Sequence, residues 1–412
     1  MSPAVDPQRV WRELDTLGGM SDAEAPAVTR VVFTETDLRA RRFFKQCCEA
    51  AGLAVREDAV GNTFARWAGT SSDLPAVATG SHCDAIPNAG RFDGTVGVFG
   101  GLEAVRALQH VGYRPRRSID VVMFTSEEPT RFGLGCLGSR LLSGALAPEA
   151  AEQLRDAERR TLEDVRRGAG FEGRLAGVAV PPATYASFIE LHIEQGPLLE
   201  RAGDHIGIVT AIAAPASLRV FIEGQGGHAG AVLMPDRHDA FLGAAEIALA
   251  VEHAARGTAS PHTVGTVGVC DVFPGAINSI PSRVRIEIDV RDIDQNRRDS
   301  VLQAIAAACE DVAARRKLTI RTDRINADAP ATCAPEIVDA VSAACARRGL
   351  KSQRMISRAY HDSLFMARVA PTGMIFIPCR GGVSHRPDEY ASPEAIGRGV
   401  EVLADVLATL AE

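Results

Sequence analysis

The chain carries nine cysteines, at 47, 48, 83, 136, 270, 309, 333, 345 and 379, yet no Cys-x-x-Cys pair. An odd, scattered set argues against a thiolate metal knot or a disulfide framework. It fits small buried thiols in a reducing compartment, and the expected location is cytoplasmic. Cys83, between His82 and Asp84, is read first as packing. No apolar run is long enough to span a membrane, so no membrane partner is expected. Basic residues are not in excess: Lys and Arg number 45 against 52 Asp and Glu, a net charge of -7. A nucleic-acid partner, which needs a basic patch, is therefore not expected. The opening segment MSPAVDPQRVWRELDTL lacks the charged-then-apolar build of a secretory signal. It predicts a helix with Val10, Leu14 and Leu17 on one face. The glycines at 224–227 have no Lys-Ser/Thr after them, which argues against a phosphate loop. No internal repeat or low-complexity stretch is present.

At 412 residues the chain exceeds one ordinary core and predicts two or three domains. In its first half, apolar strands alternate with amphipathic helices. Leu74 to Thr79, Ile119 to Thr125 and Tyr185 to His192 read as buried strands, and Val96 to Val111 as a helix. This order predicts an α/β layer with a mixed, mostly parallel sheet flanked by helices. Near residue 213 the pattern changes. A strand at 217–223, a helix at 239–256, strands at 263–270 and 283–292 and a helix at 300–316 predict an inserted α+β unit. The α/β pattern resumes near 332 and ends in a helix at 393–411. The expected division is 1–212, 213–330 and 331–412, with the outer two parts forming one catalytic domain. Residues 145–180, charged and ending in prolines, read as a surface helix and excursion.

Polar segments cluster after the C-terminal ends of the predicted strands, where ligand sites lie in such sheets. His82 offers a neutral imidazole for a metal, and Asp84 is placed to orient its ring. Asp93, before Gly94, could approach two cations, although taken alone an ordinary Asp-Gly turn is the better reading. Glu127 and Glu128 follow a buried strand. Adjacent carboxylates repel unless a cation or proton separates them, so one could bind metal while the other acts as base. Alternation places Glu190, His192 and Glu194 on one side. His385, in a glycine-rich loop, is by itself more simply structural. Nitrogen and oxygen ligands without thiolates suit zinc, manganese or cobalt.

The stretches GSHCDAIPNAGRFDGTVGV, FTSEEPTRFG, ELHIEQGPLLE, GGHAGAVLMPDRHDA, PGAINSIPSRVRIEIDVRD and GGVSHRPDEYAS resemble the carbamoylase branch of the dinuclear metallo-amidohydrolases. That branch includes N-carbamoyl-L-amino acid hydrolases, β-ureidopropionases, allantoate amidohydrolases and ureidoglycolate amidohydrolases, and is related to aminoacylases and metal-dependent exopeptidases. The resemblance runs in order over nearly the whole chain. Many carbamoylases have Thr-Val where this chain has Ala85-Ile86, and Gly where it has Pro129. Those departures, with the segment Met355 to Ser363, are most similar to the ureidoglycolate group.

The resemblance implies a zinc-exopeptidase-like fold whose inserted α+β sandwich serves as lid and dimerisation domain. It implies two divalent ions per subunit, manganese or zinc, with cobalt or nickel as alternatives. His82 and His192 would bind one ion, Glu128 and His385 the other, with Asp93 between them. Glu127 would be the general base. His228 would reach a neighbouring active site and stabilise the developing oxyanion. Gln195, Asn278 and Arg291 would hold a small ureido carboxylate in a homodimer. The strand pattern agrees for Arg291: Ile286, Ile288 and Val290 share one face, leaving Glu287, Asp289 and Arg291 on the other. From sequence alone a solvent-facing arginine is the favoured reading of Arg291, a turn role for Asn278 is equally plausible, and His228 also fits a plain loop. His361, beside Asp362, is a further candidate substrate residue. The expected activity is hydrolysis of the carbamoyl C–N bond of ureidoglycolate, with N-carbamoyl-L-amino acids, N-carbamoyl-β-alanine and allantoate as alternative substrates.

Overall fold

The computed structural model of the protein describes residues 3–412. The chain divides into two compact units. One runs to Thr210 and resumes at Thr332; the other is Ala211–Ala331.

The first unit is built on a nine-stranded mixed sheet. Its centre consists of the strands Thr372–Ile377, Tyr185–Ile193, Ala76–His82 and Ile119–Phe124, adjacent in that order and parallel. Antiparallel strands complete both sides: Thr63–Trp67 and Ala54–Glu57 beyond one edge, Ile206–Ile212 beyond the other. Every residue of Ala76–His82, Ile119–Phe124 and Thr372–Ile377 is buried, as strands covered on both faces must be. Helix Thr95–His110 crosses between two of these strands and is buried along most of its length, with His110 in its last turn. Its glycines let it sit close: a Cβ at Gly97 would lie 2.4 Å from the Leu191 carbonyl oxygen. The closing helix Pro393–Leu410 and the first helix Pro7–Gly18 pack onto the same layer. Asp6 and Ser392 accept backbone N–H groups at their first turns, as N-caps do.

Residues 145–180 depart from the surface excursion expected of them. Two short helices, Pro148–Glu152 and Leu162–Gly168, bury Ala151, Leu162 and Val165, and the chain beyond buries Phe171, Leu175 and Val178. These side chains join the cluster containing Phe124 and Phe188. The helices are too short for an apolar period to stand out against their charged outer faces.

The second unit is a two-layer α/β sandwich. Four antiparallel strands lie in the order Val264–Phe273, Arg283–Asp292, Ala214–Glu223 and Thr319–Ala327. Helices Ala240–Gly257 and Gln295–Arg316 cover the face carrying Val220, Ile222, Ile286 and Ile288, and supply Ile247, Val251, Val301 and Ile305 to the same core. A short ribbon pairs Gly227–His228 with Ser279–Ile280.

Candidate metal centre

Each of the four central parallel strands carries or leads to a side chain that could ligate a metal at its C-terminal end. His82 ends its strand. His192 is the penultimate residue of Tyr185–Ile193. Glu127 and Glu128 follow Ile119–Phe124 through Ser126, whose φ is 56°, and His385 lies beyond Thr372–Ile377 with φ 58°. Asp93 stands in the turn before helix Thr95–His110.

The geometry converges on Asp93. Its Oδ1 lies 3.6 Å from His82 Nε2 and 3.2 Å from His192 Nε2. Its Oδ2 lies 3.3 Å from His385 Nε2, which is 3.2 Å from Glu128 Oε1. Two groups able to hold an ion therefore share one aspartate: His82, Asp93 and His192, and Asp93, Glu128 and His385. The donor chemistry fits divalent cations. His82 Nδ1 faces the Asp84 carbonyl at 3.0 Å, and His192 Nδ1 faces the Ile193 carbonyl at 2.8 Å. Each Nδ1–H is thereby engaged and Nε2 is turned toward the centre, as ligating imidazoles require, although His192 Nε2 here also accepts the Gly94 N–H at 3.0 Å. Gly94 keeps the approach open, because a Cβ there would fall 2.3 Å from His82 Nε2.

The electrostatics point the same way. Burial disfavours a charged His82, but Glu127, Asp93 and Asp84 outweigh it and raise its pKa well above the ordinary value. Asp93 and Glu128 push His385 up to about 11. Burial opposes ionisation of Asp93, yet His192, His385 and His82 hold it well below the usual carboxylate range. Carboxylates that draw protons onto surrounding imidazoles would equally stabilise a bound cation. Glu127 is different. Burial, then the Glu128 charge acting against the relief from His82, raises its pKa well above the ordinary carboxylate value. Its Oε2 lies 3.6 Å from His82 Nε2, beside the first of the two groups. A proton-hungry carboxylate at that point suits a general base.

Asp84 lies beside the His82 ring and also binds backbone further along the chain. Its carboxylate is 3.7 Å from His82 Nδ1, and its backbone carbonyl orients the ring. The carboxylate oxygens accept the N–H groups of Glu127 and Glu128, each at 3.1 Å. Gln195, expected at the substrate, donates from Nε2 to Asp93 Oδ2 at 2.6 Å. Glu194 accepts the N–H groups of Leu198 and Leu199 and so anchors the helix Leu198–Ala202. His361 is buried with its ring 4.5 Å from that of His192, and its Nε2 is 2.9 Å from Ser357 Oγ. Burial, with His192 beside it, holds His361 well below the ordinary imidazole value. Cys83 is a buried thiol pushed up to about 12 by burial, and it belongs to neither group around Asp93.

His228, Asn278 and Arg291 belong to the second unit. His228 and Asn278 are neighbours on the short ribbon, where Ala229 N donates to the Asn278 carbonyl at 2.9 Å; both side chains are exposed. Arg291 is half-buried and pairs with Asp289 at 2.8 Å.

Two buried glutamates complete the surroundings: Glu389, which the sequence reading did not assign, and Glu190, which it placed only on the side of His192. Glu389 Oε1 accepts the N–H groups of Phe92 and Asp93, and its Oε2 is 3.0 Å from Ser384 Oγ, which donates to Asp93 Oδ2. Glu190 accepts from Ser81 Oγ at 2.6 Å and from Ser363 N and Oγ at 3.0 and 2.7 Å. The position of Glu389, four residues after His385, was the available signal for the first. For Glu190 it was a carboxylate inside an apolar strand.

The comparisons with known proteins agree with this geometry. Residues 78–409 match the model of Peptidase family M20/M25/M40. The chain is 51% identical to a ureidoglycolate hydrolase of Arabidopsis thaliana, over 99% of this chain and 87% of that protein. It is 40% identical to an N-carbamoyl-L-amino acid amidohydrolase of Geobacillus stearothermophilus, over 98% of each. The crystal structure of AtUAH in complex with glyoxylate superposes with a TM-score of 0.88 at 50% identity, covering 100% of this chain and 99% of that one. AtUAH in complex with (S)-hydroxyglycine gives 0.89 over the same shares. Aminopeptidase PepT of Bacillus cereus shares the fold, with a TM-score of 0.71 at 16% identity. The four-strand metal centre and these likenesses place the chain in the metal-dependent Peptidase family M20/M25/M40, as an amidohydrolase of its ureidoglycolate and N-carbamoyl amino acid branch.

Proposed function

We propose that this enzyme hydrolyses the carbamoyl C–N bond of ureidoglycolate, giving glyoxylate, ammonia and CO2. The observation that carries the reading is the division of Asp93 between two ligand groups with Glu127 alongside, in a chain half identical to a ureidoglycolate hydrolase. His82, His192 and Asp93 would hold one divalent ion and Asp93, Glu128 and His385 a second, manganese or zinc. Bound there, such ions acidify a water and polarise a carbonyl oxygen. Glu127 takes a proton from the attacking water and returns it to the leaving nitrogen. Arg291 suits the substrate carboxylate, since a planar guanidinium can bind one through two hydrogen bonds. Gln195, Asn278 and His361 are the proposed polar contacts to the ureido group.

Attack on the carbamoyl carbon breaks its bond to the substituted nitrogen. The products are carbamate, which decomposes to CO2 and ammonia, and hydroxyglycine, which loses ammonia to become glyoxylate. Both hydroxyglycine and glyoxylate are the ligands named for AtUAH. The family resemblance further supports a homodimer formed through Ala211–Ala331, with His228 serving the partner's site as an oxyanion donor.

The test is a panel of ureidoglycolate, allantoate, N-carbamoyl-alanine and N-carbamoyl-β-alanine assayed with manganese for ammonia and glyoxylate. Ureidoglycolate is expected to give the highest kcat/KM. A clear preference for an N-carbamoyl amino acid would favour the second reading, which the Geobacillus relative supports. In the same assay Glu127→Gln is expected to retain metal and lose about 10²–10⁴-fold in kcat, while His82→Ala loses metal. Full turnover by Glu127→Gln would remove the base assignment.

A further inference from the structure

Cys136 lies nine residues beyond Glu127 and is fully buried. A buried thiol is ordinarily a small apolar filler. This one is not set against an apolar wall: its Sγ is 3.4 Å from Glu127 Oε1, in hydrogen-bonding geometry. The backbone brings it there. Cys136 N donates to the Glu127 carbonyl at 2.7 Å, Leu137 N to that of Ser126 at 2.9 Å and Gly138 N to that of Thr125 at 2.8 Å. Residues 136–138 thus run along 125–127 as a clamp. Both Cys136 and Ser126 adopt left-handed backbone, each with φ 56°. Such a conformation is uncommon outside glycine and asparagine and persists only where the surroundings impose it.

The two oxygens of Glu127 consequently face different partners. Oε1 meets the thiol, whereas Oε2 points to His82 and the ligand cluster. We infer that Cys136 is a positioning residue: its S–H donates to Glu127 Oε1 and fixes the rotamer in which Oε2 is left to exchange the proton with water. The inference rests on Glu127 being the base. Burial and the Glu127 charge raise the Cys136 pKa well above the ordinary thiol value, so it stays protonated and can donate. An apolar side chain of the same size would leave a buried carboxylate oxygen without this donor, at a cost to the orientation of the carboxylate rather than to substrate binding.

The experiment uses the manganese-loaded enzyme and the substrate it turns over best. Cys136→Ala is expected to lower kcat about tenfold, the scale of one hydrogen bond to a charged group, with KM and metal content unchanged. Cys136→Ser, which restores a donor, is expected to recover most of that loss. Wild-type turnover in Cys136→Ala, or no recovery in Cys136→Ser, would show the thiol to be packing and overturn the inference. Glu127→Gln is measured in parallel. If it turns over normally, the base assignment falls and this inference with it. If it is inactive while Cys136→Ala is fully active, this inference alone falls. Should Cys136→Ala not fold, infrared spectra of the wild type and Cys136→Ser decide. One S–H stretching band shifted to lower frequency than the other thiols, and missing from Cys136→Ser, is expected. Its absence from the wild type would overturn the inference.

Discussion

Gly94 shows how one side chain that is absent shapes the metal centre. With φ 67° and His82 Nε2 2.3 Å from where a Cβ would stand, it can only be glycine without displacing the His82 ring. Gly94→Ala should therefore lose metal affinity while the fold survives, which metal titration of the apo-protein against wild type would read. Unchanged affinity would mean that the His82 ring moves freely. Asp84 makes a second residue-scale case. Its carboxylate satisfies the two buried N–H groups of Glu127 and Glu128, the proposed base and its neighbouring proposed ligand. Asp84→Ala should cost about 1–3 kcal/mol for each unsatisfied donor. Denaturant unfolding measures the cost, and kcat should fall with it because Glu127 and Glu128 lose their common anchor. An activity loss explained wholly by lost metal, with stability unchanged, would contradict this role.

At the scale of elements, the site depends on how closely helix Thr95–His110 lies on its sheet. Gly97 meets the Leu191 carbonyl, one residue before His192. Gly97→Ala should destabilise the protein by about 1–3 kcal/mol through overpacking. Gly168→Ala, where a Cβ meets nothing within 4 Å, should be neutral or stabilising by up to about 1 kcal/mol. Thermal unfolding of the pair checks the contrast; equal effects would refute the packing argument. The strands that carry the proposed ligands were legible in the sequence because burial on both faces makes them largely apolar runs. The short buried helices within 145–180 were not, since five to seven residues give no period.

On the scale of the molecule, the two units separate the ligand set from His228, Asn278 and Arg291. If the proposed homodimer places His228 at the partner's centre, inactive His228→Ala mixed with inactive Glu127→Gln should regain part of the wild-type activity as subunits exchange. Random exchange gives half hybrids, each with one intact site. No recovery, with exchange confirmed by differential tagging, would exclude a shared site. No described helix is long and apolar enough to cross a membrane.

Local pattern by itself determined the alternation of strand and helix, the change of pattern near residue 213 and the placement of His82, Glu127, Glu128 and His192 after or within apolar strands. Those features follow from side-chain period and burial, which are properties of neighbouring residues. Read the same way, Asp93 is a turn residue and His385 a loop histidine; only the likeness to a family pointed to them. Tertiary structure decided that the two stand 3.3 Å apart, and that Glu389 holds the turn at Asp93 from 296 residues away. It also joined Asp84, beside the ring of His82, to the backbone of Glu127, and brought a cysteine to the second oxygen of the Glu127 carboxylate. The physical reason is that strands adjacent in the sheet are distant in the chain. The loops at their ends meet only after the sheet has formed.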